Sequence, residues 1–336
     1  MSEVMPRIRR KANSATALFS LRRVAPVVAI LATVIAGSTF VGQPFAGASG
    51  SVATNAQVLA AVKAAQSITR VPSNLAPALT NENDIEVLNT GVCPAHYSAP
   101  KVGLDPLHFG ECVYGDPSGK RLLDIFGDSH AGMWLTAIRY AAARTGWKVR
   151  IFYFPGCPAP DLTFFSAQSN APNTGCNTFR TDAIAAIRKT HPAMVVVTSA
   201  SFSQQVSKGV IATSAQWETG LSKTLSMLTM PGTQLVVMGD IPILTQDDPT
   251  CLAAHETDVH ACTTPVAAAE TGVYVSAEEQ AASANAAEYI PTEQWICAQL
   301  CVPIVGHIRV YNDQYHISAT YAKYLSGAVQ AALHLG

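Results

Sequence analysis

From residue 121 onward the sequence alternates short apolar runs with stretches of helical period. The runs are Leu122–Phe126, Lys148–Phe154, Met194–Val197, Leu235–Met238 and Ile308–Tyr311. Helical spacing fills 130–145, 176–190, about 214–229 and 318–334, and a further helix is expected near 276–300, after a long insertion at 241–275. Strands that are apolar throughout are buried on both faces, and helices between them supply the covers and the crossovers. The pattern therefore predicts a three-layer α/β/α domain around a central five-stranded parallel sheet. With 336 residues, 49% hydrophobic and 13% charged, the chain can bury a large core. Its net charge of -1 gives no bulk attraction to nucleic acid or anionic lipid.

The N-terminus reads differently. Arg7, Arg9, Arg10, Lys11, Arg22 and Arg23 face a single acid, Glu3, and an apolar run follows from Val24 to Val41. Small residues then cluster at Pro44-Phe45-Ala46-Gly47-Ala48. A basic start, an apolar stretch and an Ala-x-Ala site make an export signal. A retained single-helix anchor is the competing reading, because a segment of about 18 residues can just span a bilayer with its basic side in the cytoplasm. Arg22-Arg23 hints at twin-arginine export, although its surroundings fit poorly. Either way residues 1–48 are a signal or anchor and the rest lies outside the cytoplasmic membrane, secreted or tethered by 24–41. Residues 49–120 begin Ala-rich and helical and turn rich in Pro, Asn and Gly. They read as an extension laid over a catalytic domain at 121–336, with a disordered tether as the alternative.

All eight cysteines follow the signal. An even number in an exported chain reads as disulfides. Their order suggests neighbours as partners: Cys93–Cys112, Cys157–Cys176, Cys251–Cys262 and Cys297–Cys301. Cys251, His255, His260 and Cys262 are residue types that suit zinc, but the spacing and the oxidising compartment favour a disulfide flanked by two exposed histidines. No metal and no cofactor is expected; Gly115 and Gly119 precede the first strand and lack the register of a phosphate-binding loop.

In open parallel sheets, ligands bind beyond the carboxyl ends of the strands. Those ends hold Asp128-Ser129-His130, Pro155-Gly156-Cys157, Ser199-Ala200-Ser201, Gly239-Asp240 and Asp313…His316. Ser129 sits where a strand turns into a helix, so free backbone N–H groups and the helix dipole face it. An oxyanion would be stabilised there. A plain helix cap is the bland reading of the same serine. A serine hydroxyl needs a base, and a histidine held by an aspartate supplies one. Asp313 and His316, three residues apart after the last run, fit that role; a surface turn before a helix is their bland reading. The conjunction of both motifs at one sheet edge is the stronger signal.

Gly127-Asp128-Ser129-His130-Ala131 and Tyr311-Asn312-Asp313-Gln314-Tyr315-His316-Ile317-Ser318 resemble the SGNH (GDSL-type) hydrolases. More narrowly, they are similar to the extracytoplasmic SGNH domains of acyltransferase-3 proteins, which acylate cell-surface glycans. The likeness extends to Val71-Pro72…Leu75-Ala76-Pro77 and to Trp295-x-Cys297…Cys301-x-Pro303, and so covers roughly 70–336. It implies a flavodoxin-like SGNH fold, Ser129 as nucleophile, His316 as base and Asp313 as the orienting acid. The superfamily also places an oxyanion-binding glycine after the second strand and an asparagine after the third. Gly156 can fill the first role, or be a turn glycine. No asparagine follows the third strand, where Ser201 or Ser199 stands as the substitute donor; the fused SGNH domains also tend to lack that asparagine. Asp128 and His130 flank the nucleophile as substrate-side candidates, although His130 points elsewhere on the helix and more simply fixes the turn. Trp134 is a groove wall or a core residue, and Asp240 a substrate contact or a turn residue. The large membrane domain of that family is replaced here by one apolar segment. A separate membrane acyltransferase is then the expected partner, unless the acyl donor is already outside.

Three functions follow. The first is an exported O-acyltransferase or O-acylesterase on a cell-envelope glycan. The second is a secreted esterase of small esters. The third is a silent SGNH-like module that binds a glycan or a partner.

Overall fold

The computed structural model describes residues 52–81, 83–85, 113–269 and 272–336, the side chains of 272 and 273 excepted. The signal or anchor and the Cys93–Cys112 pairing lie outside these residues. A central sheet runs in the order β1-β3-β2-β4-β5-β6, with β1 Tyr114–Gly115, β2 Arg121–Gly127, β3 Trp147–Tyr153, β4 Met194–Thr198, β5 Gln234–Met238 and β6 Glu288–Ile290. Five strands are parallel, and the two-residue β1 closes one edge antiparallel to β3. The sheet thus begins before residue 121.

Alternation along each strand splits the core between the two faces. Leu123 and Ile125 of β2, Met194 and Val196 of β4, and Val236 and Met238 of β5 pack on one side. Phe126, Val195, Val197, Leu235 and Val237 pack on the other. The first side is covered by α1 Asn55–Ala65, α2 Ser129–Thr145, α7 Ala319–Tyr324 and α8 Ser326–Ala332. The second is covered by α3 Thr174–Thr190, α4 Ser214–Leu228 and α6 Gly272–Ala284, while the short α5 Asp248–Ala254 lies in the 241–275 insertion. The helix ends follow local chemistry. Thr54 with Gln57 and Thr213 with Gln216 form capping boxes, and Gly146 ends α2 in the left-handed conformation at φ 70°.

The expected fifth strand is displaced. Ile308–Arg309 does not join the sheet; it forms a hairpin with Ile304–Val305. The run is apolar because Val310 and Tyr311 enter the first-side core, while the N-terminal segment covers its start. Ala76 pairs with Ile308, and the buried Arg309 donates to the carbonyls of Ala78 and Asn81. The fifth parallel strand is instead Glu288–Ile290, inside the stretch expected to be helical to about residue 300. That helix ends at Ala284. Three residues ended by Pro291 are too short to show a strand period against an Ala-rich background. The last expected helix, 318–334, is two short ones, α7 and α8.

Among the described residues, three disulfides pin loops. Cys157–Cys176 joins the loop after β3 to α3, Cys251–Cys262 closes the insertion, and Cys297–Cys301 closes a tight turn. His260 Nε2 meets the Gln66 carbonyl at 3.1 Å, joining the insertion to the N-terminal segment.

Candidate active site

The β2–α2 junction is built for close approach. A Cβ on Gly127 would lie 1.8 Å from the Thr198 carbonyl oxygen, so only glycine lets β2 turn this close to β4. Asp128 then caps α2, its carboxylate accepting from His130 N–H at 2.9 Å and from Ala200 N–H at 2.9 Å. The clamp leaves Ser129 as the first residue of α2, half-buried, with no acceptor for its own N–H among the described residues.

His316 reaches Ser129 from a turn after the 304–309 hairpin. Asp313 Oδ1 accepts from the N–H groups of Tyr315 and His316 at 2.9 and 2.8 Å, which closes the turn. His316 Nδ1 stands 2.9 Å from Asp313 Oδ2, and His316 Nε2 stands 3.0 Å from Ser129 Oγ. The Asp313 carboxylate selects the tautomer with the proton on Nδ1, so Nε2 can accept from the serine hydroxyl. Burial raises the Asp313 pKa, but the hydrogen bond and charge of His316 outweigh it and leave the group below the usual carboxylate range. The N-terminal segment braces this turn. Asp84 N–H donates to Asn312 Oδ1 at 2.9 Å, and Asp84 accepts from the N–H groups of Ala319 and Thr320 at the start of α7.

Ser129, Asp313 and His316 open onto a cavity of about 950 Å³. Leu79, Met133, Pro155, Pro249, Ala253 and Ile317 give it an apolar wall, and Asp247 adds an acid. No lysine or arginine is among the described residues that line it. Met133 is four residues after Ser129, on the same helix face, so helical spacing could have found it. Leu79, Asp247 and Pro249 carried no such signal, because they reach the groove from chain segments far from either motif.

The remaining candidates divide. Gly156 is exposed at φ 71° beside the Cys157–Cys176 bridge, and its N–H has no acceptor among the described residues. Ser201 is not a free donor: its N–H and hydroxyl both go to Asp240 Oδ2, at 2.7 and 3.0 Å. Ser199 Oγ accepts from Ala159 N–H at 2.8 Å. Asp128 is fully buried as a cap and clamp, and so does not face substrate. Trp134 is core, not groove wall. It is fully buried, packed edge-to-face on Trp295 within the first-side core.

His130 and Asp240 make a second pair that the sequence did not reveal. His130 Nδ1 is 2.5 Å from Asp240 Oδ1, both side chains are sealed from solvent, and the two histidine rings lie edge-to-face at 5.1 Å. Burial lowers the His130 pKa, but the Asp240 carboxylate, with Asp128 and Asp313, raises it overall to about 9. Asp240 is therefore neither a substrate contact nor a plain turn residue. It ties α2, the loop after β4 and the end of β5 together.

The family described as the SGNH domain fused to AT3 domains matches residues 93–331. This chain belongs to that family. The fold and the activity class, a serine acyltransferase or esterase, agree with it. Among solved structures, this SGNH domain resembles the periplasmic domain of a Salmonella ser. Paratyphi A lipopolysaccharide acetyltransferase, with 15% identity, a TM-score of 0.51, and coverage of 65% of this chain and 85% of that one. It also matches a GDSL-like lipase from Bacteroides thetaiotaomicron, at 9% identity and TM-score 0.39 over 64% of this chain and 88% of that one. An acetylxylan esterase from Geobacillus stearothermophilus matches at 13% identity and TM-score 0.38, over 64% and 95%. No curated protein matches in a sequence comparison.

Proposed function

We propose that this SGNH domain is an extracytoplasmic serine O-acyltransferase or O-acylesterase that acts on a cell-envelope glycan through an acyl-enzyme on Ser129. The observation that carries the reading is the unbroken chain Ser129 Oγ–His316 Nε2, 3.0 Å, and His316 Nδ1–Asp313 Oδ2, 2.9 Å, at the floor of an open groove. Ser129 Oγ attacks the donor carbonyl and its proton passes to His316 Nε2. The tetrahedral intermediate places its oxyanion toward the N–H groups of Ser129 and Gly156. Its collapse leaves the acyl group on Ser129 and returns the proton to the departing alcohol. The acceptor hydroxyl then gives its proton to Nε2, attacks the acyl carbonyl, and expels Ser129 Oγ, which recovers the proton.

Several features favour transfer over rapid hydrolysis. No side chain from 199–203, in the loop after β4, is among the described residues that line the groove, and one oxyanion donor is worth about 10²–10³ in rate. Weak attack by water suits a transferase. The family is defined by fusion to AT3 domains, which supports a membrane acyltransferase as the partner that delivers acyl groups. The basic and apolar N-terminus and the disulfides support a location outside the cytoplasmic membrane. Turnover of 4-nitrophenyl acetate by the protein and by Ser129→Ala tests the acyl-enzyme. Turnover abolished in the folded variant is the expected result; equal turnover in both would overturn it.

A further inference from the structure

Two aromatic side chains flank the catalytic turn without lining the groove. Tyr315, between Asp313 and His316, is 37% exposed, and its ring centroid lies 4.9 Å from that of His316. Phe202, from the loop after β4, meets Tyr315 at 5.0 Å with the rings tilted by 37°. Both are held from below. Ser201 donates twice to Asp240, and Ser203 turns the chain in the left-handed region at φ 53°. Tyr315 N–H is bound by Asp313. Ile317, two residues on, is buried, so the fold places a large apolar ring in water next to a residue it does bury.

The chemistry of the second half-reaction says what that ring faces. An acceptor hydroxyl must reach His316 Nε2, so the acceptor body rests beside His316, while the acyl group and its apolar wall occupy the groove. A pyranose ring presents a face of C–H bonds with slight positive charge, complementary to the negative face of an aromatic ring. No lysine or arginine is among the described residues that line the adjoining groove, a lining that suits an uncharged sugar.

We propose that Phe202 and Tyr315 form the stacking platform for a neutral pyranose ring of the acceptor, and thereby select a sugar hydroxyl over water. This rests on the acyl-enzyme reading above. By microscopic reversibility the same platform holds the sugar of an acetylated pyranose undergoing hydrolysis. The test compares kcat/KM for glucose pentaacetate and for vinyl acetate, which has no ring to stack. Tyr315→Ala lowers the sugar-to-vinyl ratio by about tenfold, chiefly through KM. Tyr315→Phe keeps the ratio, because the ring face and not the hydroxyl does the binding. A ratio unchanged in Tyr315→Ala, or lost equally in Tyr315→Phe, overturns the platform. So does an equal fall for both esters, which would make Tyr315 a support of the His316 turn. Failure of the acyl-enzyme reading is distinct: Ser129→Ala would then still turn over vinyl acetate.

Discussion

Two histidine–aspartate pairs stand side by side in this molecule, one open and one sealed. In the open pair, the side chains of His316 and Asp313 are 21% and 35% exposed, and Nε2 meets a serine hydroxyl at the groove. In the sealed pair, His130 and Asp240 are 1% and 3% exposed, and His130 Nε2 has no partner among the described residues. The residue types are the same and the rings are 5.1 Å apart. The difference teaches that access decides the role. A base must reach both nucleophile and substrate, whereas a buried charged pair binds elements together and is expensive to break.

The contrast breaks most directly at the serine. Ser129→Ala and His316→Ala are each expected to lower kcat/KM for 4-nitrophenyl acetate by about 10⁴–10⁶-fold, and the double variant to be no worse than either. Strictly additive losses would mean that the two side chains do not act as one unit. The aspartates sharpen it next. Asp313→Asn is expected to cut kcat by about 10²–10⁴-fold with the denaturation midpoint almost unmoved. Asp240→Asn should do the reverse in kind, costing about 3–5 kcal/mol of stability by taking from a buried imidazolium its hydrogen-bonded carboxylate. Comparable destabilisation by both would erase the distinction between the pairs.

Smaller effects appear in the pH dependence of stability. His130 binds its proton more tightly folded, at about 9, than at the ordinary 6.5. Its contribution is therefore complete below about 6.5 and is lost as pH rises through about 9. Thermal melts across that window should show a decline that His130→Gln flattens. Glu278 adds a slope at lower pH. It lies buried against Trp217, and burial and the charge of Asp240 raise its pKa from 4.5 to about 8. The folded state keeps a proton that the unfolded chain has released, so stability falls as pH rises from about 4.5 to about 8. Glu278→Gln should remove that slope; an unchanged melting profile would place the ionisation elsewhere.

Much of this was legible from local patterns. Apolar runs marked β2, β3, β4 and β5, and helical period marked α2, α3 and α4, because each is a long element whose burial imposes a regular spacing. The cysteine order paired 157 with 176, 251 with 262 and 297 with 301, since short loops bring near neighbours together. β6 was not legible. Three residues carry too little period, and the run at 308–311 imitated a sheet strand because it is buried between the core and the N-terminal segment without joining the sheet. The same long-range contact hid the groove wall at Leu79 and the brace at Asp84.

The sequence by itself determined the layered α/β architecture and the two motifs that meet in it, Gly127–His130 and Asp313–His316. These depend on spacing within a dozen residues, where turn geometry and side-chain period act directly. Tertiary structure alone decided that His130 is sealed against Asp240, that Ser201 and Asp240 serve each other rather than substrate, and that Phe202 and Tyr315 meet. Each of those outcomes depends on burial and on contacts between residues 39 to 187 positions apart, and no local pattern encodes them.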